Sequence, residues 1–156
     1  MSPKANEMNR LLPRLIIISA PSGAGKTTLC EMLLKEFPSI RLSISTTTRS
    51  MRTYEQNGVH YHFVTAGQLK KKIAKKEFAE WAEVHGHRYG TSKTAIQQFL
   101  SEGYHVLFDI DVQGAMDLLG QYKERALLIF IHPPSMEELE HRLRERRGDS
   151  AASIEN

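Results

Sequence analysis

Short apolar runs recur along the chain and are separated by longer stretches of mixed polarity. Strands are predicted at residues 15–20, 104–110 and 126–132, where apolar side chains dominate, and all three are expected to be buried. Two shorter candidates lie at residues 41–46 and 61–64. Because strands that alternate with helices are typical of an α/β fold, we expect a parallel sheet flanked by helices.

The stretches between these strands carry helix-start and helix-stop signals. Helices are predicted over residues 26–37, 65–76, 93–102 and 135–147. Thr65 with Gln68, and Ser135 with Glu138, have the spacing of a capping box, in which each side chain can satisfy a free backbone N–H. Gly103 suits the position after the third helix, where a left-handed backbone is common.

The segment from about residue 47 to residue 90 is polar and rich in turn residues, and it interrupts this alternation. Phe78–Val84 alternates apolar and polar residues and is followed by Gly86 and Gly90, which predicts a hairpin or a bent strand. The segment is therefore predicted to be a substrate-binding lobe inserted into the α/β core.

Composition narrows the class of protein. A chain of 156 residues is expected to form one domain, and its net charge of +3 is modest. No apolar run is long enough to cross a membrane, residues 1–14 lack the apolar centre of a signal peptide, and no basic patch contains interleaved aromatic residues. We therefore expect no membrane and no nucleic-acid partner. The single cysteine, Cys30, has no partner for an internal disulfide, which favours a cytoplasmic location.

The turn between the first strand and the first helix has the spacing of a phosphate-binding P-loop. Its small residues let the backbone curl, so that N–H groups and the positive end of the helix face one point. Lys26 could then reach the β- and γ-phosphates of a nucleoside triphosphate, and the Thr27 hydroxyl could hold Mg²⁺. Ala20 stands where the strict motif has glycine, and the alternative is an ordinary strand–turn–helix. The candidate phosphate-binding residues are Ala20, Pro21, Ser22, Gly23, Ala24, Gly25, Lys26, Thr27 and Thr28.

Two carboxylates end the strand predicted at residues 104–110. Asp109 and Asp111 lie where open α/β sheets form their sites, and Asp109 fits the acid that P-loop enzymes use to hold Mg²⁺ or its water shell. The alternative is an aspartate that precedes a turn. The run from Asp111 to Gly114 also matches the D-x-x-G of GTPases, but no Asn-Lys-x-Asp follows it, which argues against guanine recognition of that kind.

Charged and polar residues of the inserted segment suit a second phosphorylated molecule. Arg49 and Arg52 could grip a terminal phosphate, although exposed arginines without a ligand are the alternative. Glu80, Tyr89 and Thr91 add an acid, a phenol and a hydroxyl. A buried carboxylate can accept both N–H groups on the Watson–Crick edge of guanine, whereas adenine would present a bare acceptor to it.

Taken together and in order, these motifs resemble those of guanylate kinases. The resemblance rests on residues 20–28, 45–52, 57–61, 80–81, 89–90, 109–114 and 133–135, and it extends from residue 15 to the end of the chain. It implies a P-loop nucleoside-monophosphate-kinase fold of the α/β class, with a GMP-binding lobe and a mobile lid. It also implies that the γ-phosphoryl group of Mg·ATP is transferred to GMP, giving ADP and GDP, as part of purine nucleotide metabolism.

The resemblance further implies a division of the chain and a set of residue roles. The core would be residues 15–46 and 92–134, the GMP-binding lobe residues 47–91, and part of the lid residues 135–156, after a flexible lead at residues 1–14. Lys26, Arg49, Arg142 and Arg146 would be catalytic, since they would neutralise charge on the phosphates. GMP would be bound by Ser45, Arg49, Arg52, Tyr61, Glu80, Tyr89, Thr91 and Asp111, ATP by residues 20–28, and the metal by Thr27 and Asp109.

Members of that family continue past the point at which this chain ends, through the rest of the lid and C-terminal core elements. We therefore expect either a fragment or a shortened relative with impaired turnover. Two other functions are weighed against the kinase: a non-catalytic guanylate-kinase-like binding module, and a P-loop kinase for another phosphorylated acceptor, such as a ribose bisphosphate. The intact Gly25-Lys26-Thr27 argues against the first, and the combination of Ser45 with Glu80 argues against the second.

Overall fold

The computed structural model describes residues 12–145. Within these residues the strands are β1 (Leu15–Ser19), β2 (Ile40–Leu42), β3 (Thr46–Thr47), β4 (His62–Phe63), β5 (Phe78–Val84), β6 (His87–Ser92), β7 (His105–Asp109) and β8 (Ala126–Phe130). The helices are α1 (Lys26–Glu36), α2 (Ala66–Ala74), α3 (Lys93–Ser101), α4 (Val112–Tyr122) and α5 (Met136–Glu145), with a 3₁₀ turn at Lys123–Arg125. None of these helices combines the length and the apolar character needed to cross a membrane.

A four-stranded parallel sheet forms the centre of the fold. Its strand order is β2-β7-β1-β8, and each neighbouring pair runs in the same direction. Ile17 of β1 pairs with Phe108 on one side and with Leu128 on the other. Parallel strands need crossover connections, which place helices on the sheet faces. The predicted α/β fold, with a parallel sheet flanked by helices, is confirmed.

Successive side chains of β1 and β7 pack on opposite faces of this sheet. On one face, Ile17 and Phe108 are completely buried in a cluster that also contains residues of α3 and α4. On the other face, Ile18 and Leu107 pack with Cys30 of α1. The helices therefore fix the strands from both sides, and the carboxyl ends of β1 and β7 are held next to each other.

Residues 46–92 contain a second, mixed sheet with the order β4-β3-β6-β5. Strands β5 and β6 form the predicted hairpin, and its turn consists of His85 and Gly86, which have φ values of 50° and 76°. Two consecutive residues with positive φ match the twist of the flanking strands in a tight hairpin. Strand β3 lies between β4, to which it is parallel, and β6, to which it is antiparallel.

The prediction of one strand over residues 41–46 is confirmed only in part, because this segment contributes to two different sheets. Strand β2 ends at Leu42 in the parallel sheet, whereas Thr46 begins β3 in the second sheet. Between them, the Ser43 N–H donates to the Leu107 carbonyl in the first sheet, and the Ser45 carbonyl accepts from His62 N–H in the second. The chain crosses from one sheet to the other within a few residues.

Side chains cap the starts of helices α2, α4 and α5. At α2 the Gln68 N–H donates to Thr65 Oγ1 and the Thr65 N–H donates to the Gln68 side chain, so the predicted capping box is confirmed. At α5 the Glu138 N–H donates to Ser135 Oγ at 3.1 Å. Helix α4 has no counterpart among the predicted elements, and the Asp111 carboxylate caps it.

Strand β8 is less buried than its sequence predicts. Leu127 and Phe130 are each 51% exposed. The reason is topological: β8 is the edge strand of the parallel sheet formed by the described residues, where it pairs with β1.

Candidate active site

The turn between β1 and α1 forms a loop of backbone N–H donors. Gly23 and Gly25 have left-handed backbone, with φ values of 84° and 92°, which residues with a Cβ rarely adopt. Gly25 directly precedes α1, and none of the described side chains caps the start of that helix. The first turn of α1 also contains no acidic residue. The loop therefore presents N–H groups and the positive end of a helix dipole, which together suit phosphate.

The pairing of β1 with β7 places an acid beside this loop. Ile18 is in register with Asp109, so the ends of the two strands are adjacent. The Lys26 ammonium donates to Asp109 Oδ1 and lies 3.4 Å from the Ile110 carbonyl oxygen. Thr27 Oγ1 donates to Asp109 Oδ2 at 3.1 Å. Lys26, the predicted phosphate-binding lysine, and Thr27, a candidate metal ligand, thus both contact the carboxylate of Asp109, the other candidate metal ligand.

These oxygen atoms fit Mg²⁺ that arrives with a nucleotide. Mg²⁺ prefers six oxygen ligands, keeps several waters and commonly takes only one or two ligands from protein. Thr27 Oγ1 and Asp109 Oδ2 supply such a pair from two different elements. Among residues 12–145, no group of three or more His, Cys, Asp or Glu side chains is placed to hold a metal. The donor set fits a metal that phosphate oxygens and water help to bind.

Glu80 of β5 is a buried carboxylate, only 7% exposed. Its Oε1 accepts a hydrogen bond from the hydroxyl of Thr91, its partner across the hairpin. The pKa of Glu80 is raised to about 7, mainly by burial and further by the charges of Asp111 and Asp117, against the opposing effect of the Thr91 hydrogen bond. Glu80 Oε2 lies 2.7 Å from the position of a Cβ built on Gly114, so this neighbour has to be glycine unless the carboxylate moves.

Asp111 caps α4 and also faces the cleft. Its Oδ1 accepts hydrogen bonds from the N–H groups of Gln113 at 2.8 Å and Gly114 at 3.1 Å. Both bonds use the same oxygen atom, and no hydrogen bond among residues 12–145 occupies Oδ2. A helix cap therefore fixes the carboxylate for which the family resemblance implies a contact with guanine.

The two predicted phosphate-binding arginines converge on a glutamate. Arg49 donates two hydrogen bonds to the Glu55 carboxylate, at 3.0 and 2.6 Å, and the Arg52 N–H donates to the same group at 2.7 Å. Glu55 is only 8% exposed, and its hydrogen bonds with Arg49 hold its pKa below the usual value. The Arg52 guanidinium donates to the Tyr54 hydroxyl at 2.9 Å. Glu55 thus orients Arg49, which lies just after β3.

Two tyrosines connect Arg49 to the cleft. The rings of Tyr61 and Tyr89 are in edge-to-face contact, with 6.0 Å between their centres. The Arg49 guanidinium carbon lies 5.2 Å from the centre of the Tyr61 ring. Burial raises the pKa of the Tyr61 hydroxyl, so this group is a hydrogen-bond donor at neutral pH.

One cleft of about 540 Å³ brings most of the predicted residues together. Those that line it are Ala20, Pro21, Ser22, Gly23, Gly25, Lys26, Thr27, Thr28, Ser45, Tyr61, Glu80, Tyr89, Asp109, Asp111 and Arg142. Among the predicted residues that the structure describes, the four that do not line it are Ala24, Arg49, Arg52 and Thr91. Arg49 and Thr91 still touch lining residues, through Tyr61 and Glu80 respectively.

Helix α5 covers part of the loop and brings Arg142 to the cleft. A Cβ built on Gly23 would lie 3.0 Å from Leu143 Cδ2 and 3.4 Å from Leu139 Cδ1, so the helix packs directly on the loop. Arg142 Nε donates to Glu138 Oε1 at 2.6 Å. The second predicted lid arginine, Arg146, lies outside the described residues.

Sequence reasoning did not single out several residues of this site. Glu55 has no motif of its own, and only its place shortly after Arg49 and Arg52 hints at pairing. Gly114 is visible as the last residue of D-x-x-G, but nothing in that pattern connects it to Glu80. Val84, His85 and Ile110 also line the cleft. For His85 the available signal was the tight turn after an alternating strand.

Comparison with known proteins matches this chain to one family. The sequence model of the family described as guanylate kinase matches residues 12–156. A protein named guanylate kinase from Sphingopyxis alaskensis is 51% identical over 136 residues, which is 87% of this chain and 62% of the relative. Another, from Dechloromonas aromatica, is 52% identical over 141 residues, which is 90% of this chain and 69% of the relative. The chain thus spans roughly two thirds of the length of these relatives.

A solved structure gives the same result at the level of the fold. The crystal structure of guanylate kinase from Anaplasma phagocytophilum superimposes with a TM-score of 0.75 and 35% sequence identity. The superposition covers 84% of this chain and 66% of that chain.

Proposed function

Because the chain belongs to the guanylate kinase family, we propose that it binds ATP and GMP and transfers the γ-phosphoryl group, giving ADP and GDP. The observation that carries this proposal is the shared cleft. The loop with Lys26 and the buried carboxylate of Glu80 line the same space of about 540 Å³. A kinase needs a site for the phosphate donor and a site for the acceptor that open onto each other. This cleft offers a phosphate-binding loop for the donor and a buried carboxylate for the base of the acceptor.

The acceptor base is proposed to lie against Glu80. In its ionised form this carboxylate accepts hydrogen bonds from guanine N1–H and from the exocyclic amine. Thr91 holds one carboxylate oxygen, which orients the group, while Ser45 and Asp111 line the cleft nearby. Adenine would place an acceptor opposite an acceptor and leave a buried charge unpaired, which is costly.

The phosphate of GMP is proposed to bind at the arginine cluster. Arg49 and Arg52 carry permanent positive charge, and the hydroxyls of Tyr61 and Tyr89 can donate hydrogen bonds to phosphate oxygens. Glu55 already fixes Arg49, so little side-chain freedom would be lost on binding. Such preorganisation is favourable because the cost of ordering is met before the ligand arrives.

The donor phosphates are proposed to bind in the loop at residues 20–28. Backbone N–H groups and the start of α1 would cradle them, and Lys26 and Arg142 would neutralise charge that develops on the transferring group. No general base is required, because the nucleophile is an already ionised phosphate oxygen. Catalysis then consists of alignment and charge neutralisation, and the packing of α5 on the loop helps to exclude water.

Guanylate kinases use ATP and generally need a divalent metal, and we propose Mg²⁺ for this chain, with Thr27 and Asp109 near it. When bound, the ion would neutralise charge on the phosphate oxygens of the donor. We also propose a cytoplasmic location and a role in purine nucleotide metabolism. The single cysteine, Cys30, is buried and unpaired, as expected for a reducing compartment.

Calorimetric titration tests the acceptor assignment. GMP is expected to bind at least about tenfold more tightly than AMP, since a mismatched polar edge at a buried carboxylate costs over about 1.4 kcal/mol. Equal affinities would overturn the assignment and favour another phosphorylated acceptor. The Lys26→Met variant serves as the control: it is expected to keep its affinity for GMP while losing turnover. A binding module without kinase activity would bind GMP but form no ADP.

A further inference from the structure

A second cavity of about 320 Å³ lies behind Glu80, between the second sheet and the helices of the parallel-sheet core. We call it the rear cavity; its lining includes Ile73, Lys76, Glu80, Trp81, Lys93 and Asp117. These residues come from α2 and its end, β5, α3 and α4. Glu80 lines both the rear cavity and the nucleotide cleft, so the two spaces share one residue.

Two lysines at the rear cavity have no partner for their charge. Among the described residues, neither Lys76 nor Lys93 has a side-chain hydrogen bond or an ion pair. The backbone holds them near each other, because the Lys93 N–H donates to the carbonyl of Glu77, the residue after Lys76, at 3.0 Å. By contrast, the neighbouring Lys72 is paired with Glu77 at 2.9 Å.

Lys76 occupies a position where glycine is the usual residue. The Lys76 N–H donates to the Ile73 carbonyl at 2.9 Å, and the Glu77 N–H donates to the Lys72 carbonyl at 3.1 Å, which are the two bonds of a Schellman motif at the end of α2. The residue at this point needs a left-handed backbone, and Lys76 has φ 56°. The left-handed backbone at this position directs the Lys76 side chain from the end of α2, where it lines the rear cavity.

The remaining lining residues define the other end of a ligand. Glu80 and Asp117 provide carboxylate oxygens, which accept hydrogen bonds from hydroxyl groups. Trp81 is 43% exposed and offers an aromatic surface for C–H groups. Ammonium groups bind phosphate as point charges. A phosphate at one end and a polyhydroxylated ring at the other would satisfy all three kinds of group.

We propose that the rear cavity binds a small sugar phosphate, with its phosphate on Lys76 and Lys93 and its hydroxyls facing Asp117 and Glu80. The sugar end of the ligand would then lie against Glu80, which also lines the nucleotide cleft. A Glu80 oxygen that accepts a hydrogen bond from a sugar hydroxyl is a weaker acceptor for guanine, so occupancy of the rear cavity would weaken the binding of GMP, and GMP would weaken the sugar phosphate by the same factor. This coupling, unlike the site itself, rests on the proposed function.

Trp81 is the only tryptophan of the chain and therefore reports on this cavity directly. Ribose 5-phosphate is titrated into the whole protein while the Trp81 emission and its indole N–H resonance are followed. A saturable change is expected, and Lys93→Gln should weaken the binding at least about tenfold, the effect of losing a charge-assisted hydrogen bond. Absence of a saturable change at millimolar ligand would overturn the proposal.

Three variants distinguish binding in the rear cavity from binding elsewhere on the protein. Lys76→Gly should also weaken binding at least about tenfold, yet its melting temperature should not fall, because glycine relieves the backbone strain. Lys70→Gln, an exposed lysine on α2, should bind normally. Lys26→Gln should also bind normally; a loss of the Trp81 response in this variant would place the ligand in the nucleotide cleft and refute the rear site.

Two further arms separate the ligand chemistry and the proposed function. Inorganic phosphate should bind more weakly than ribose 5-phosphate, and equal affinities would refute the sugar contacts. If ribose 5-phosphate binds at Trp81 but GMP binds no better than AMP, the rear site stands and the proposed function fails. If GMP binds selectively but Trp81 does not respond to ribose 5-phosphate, the proposed function stands and the rear site is refuted.

Discussion

The Thr91 hydroxyl donates a hydrogen bond to the carboxylate of Glu80, which is almost fully buried on the paired strand. We predict that GMP binding depends on pH, because only the ionised carboxylate accepts both guanine N–H groups. The pKa of Glu80 is raised to about 7, chiefly by burial. We expect the affinity for GMP to fall about tenfold per pH unit below that value, as one proton must be released. Calorimetry between pH 5.5 and 8.5, values chosen to span about one to two units on either side, measures it.

The control for this prediction is Glu80→Gln, which cannot titrate. Its GMP affinity should be lower, and its remaining pH dependence reports only the phosphate of GMP.

The same variant tests how Glu80 affects the stability of the fold. A carboxyl with a raised pKa stabilises the fold below its unfolded value of 4.5, and this contribution is lost as the pH rises to about 7. Between pH 4.5 and about 7, the melting temperature of Glu80→Gln should therefore fall less than that of the wild type. An equal fall in both proteins would contradict the prediction.

Gly114 is predicted to be needed for guanine recognition because it leaves room for the Glu80 carboxylate. An alanine Cβ would lie 2.7 Å from Glu80 Oε2 and push the carboxylate from its position. Gly114→Ala should weaken GMP binding about 10- to 100-fold, the range for a hydrogen bond to a charged group, and leave ATP binding unchanged. Gly120→Ala in the same helix is the matched control, since its Cβ meets nothing within 4 Å. That variant should bind GMP normally and gain up to about 1 kcal/mol of stability; equal GMP affinities in both variants would rule out a steric clash with Glu80.

Glu55 is predicted to position Arg49 for the phosphate of GMP. Glu55→Gln keeps the shape of the side chain but removes the charge that holds the guanidinium by two hydrogen bonds. We expect about a tenfold loss of GMP affinity, consistent with one charge-assisted hydrogen bond. Because the pKa of Glu55 is held low, its stabilising contribution is present above pH 4.5 and is lost as the pH falls below that value. Glu83→Gln, which breaks the more exposed pair with Arg88, is the control and should bind GMP normally.

Local rules predicted those parts of the fold whose cause lies within a few residues. The capping box of Thr65 and Gln68 and the hairpin turn at Gly86 depend on short-range geometry. The loop from residue 20 to residue 28 belongs to the same group, since its glycines, its lysine and the following helix are contiguous. The parallel pairing of β1 with β7 then brings Lys26 and Thr27 of this loop into contact with Asp109.

The parts that sequence reasoning missed depend on contacts between distant residues. Gly114 and Glu80 meet because α4 packs against β5, and no local pattern contains that information. Helix α4 itself includes two glycines, which lower helix propensity, and the burial of Ala115 and Leu118 compensates. An apolar strand has the same sequence pattern whether it lies in the centre or at the edge of a sheet. The pattern therefore does not predict the exposure of Leu127.

Arg142 is predicted to act on the transferring phosphoryl group. Arg142→Ala should lower kcat about 10²- to 10³-fold, the effect of removing one preorganised donor, while GMP affinity stays the same. Arg144→Ala is the matched control, because Arg144 lies on the same helix, pairs with Glu140 and does not line the cleft. Single-turnover kinetics of the two variants separate a catalytic effect from a change in α5. Equal losses would show that the helix, and not the Arg142 side chain, is responsible.

Formation of ADP from ATP, measured with Mg²⁺ in the presence of GMP or AMP, tests the central claim that one cleft holds both substrates. We expect ADP to form when GMP is present, to form far more slowly with AMP, and to be lost in the Lys26→Met variant even though that variant still binds GMP. ADP formation that is independent of GMP, equal with AMP, or unchanged in Lys26→Met would contradict the claim.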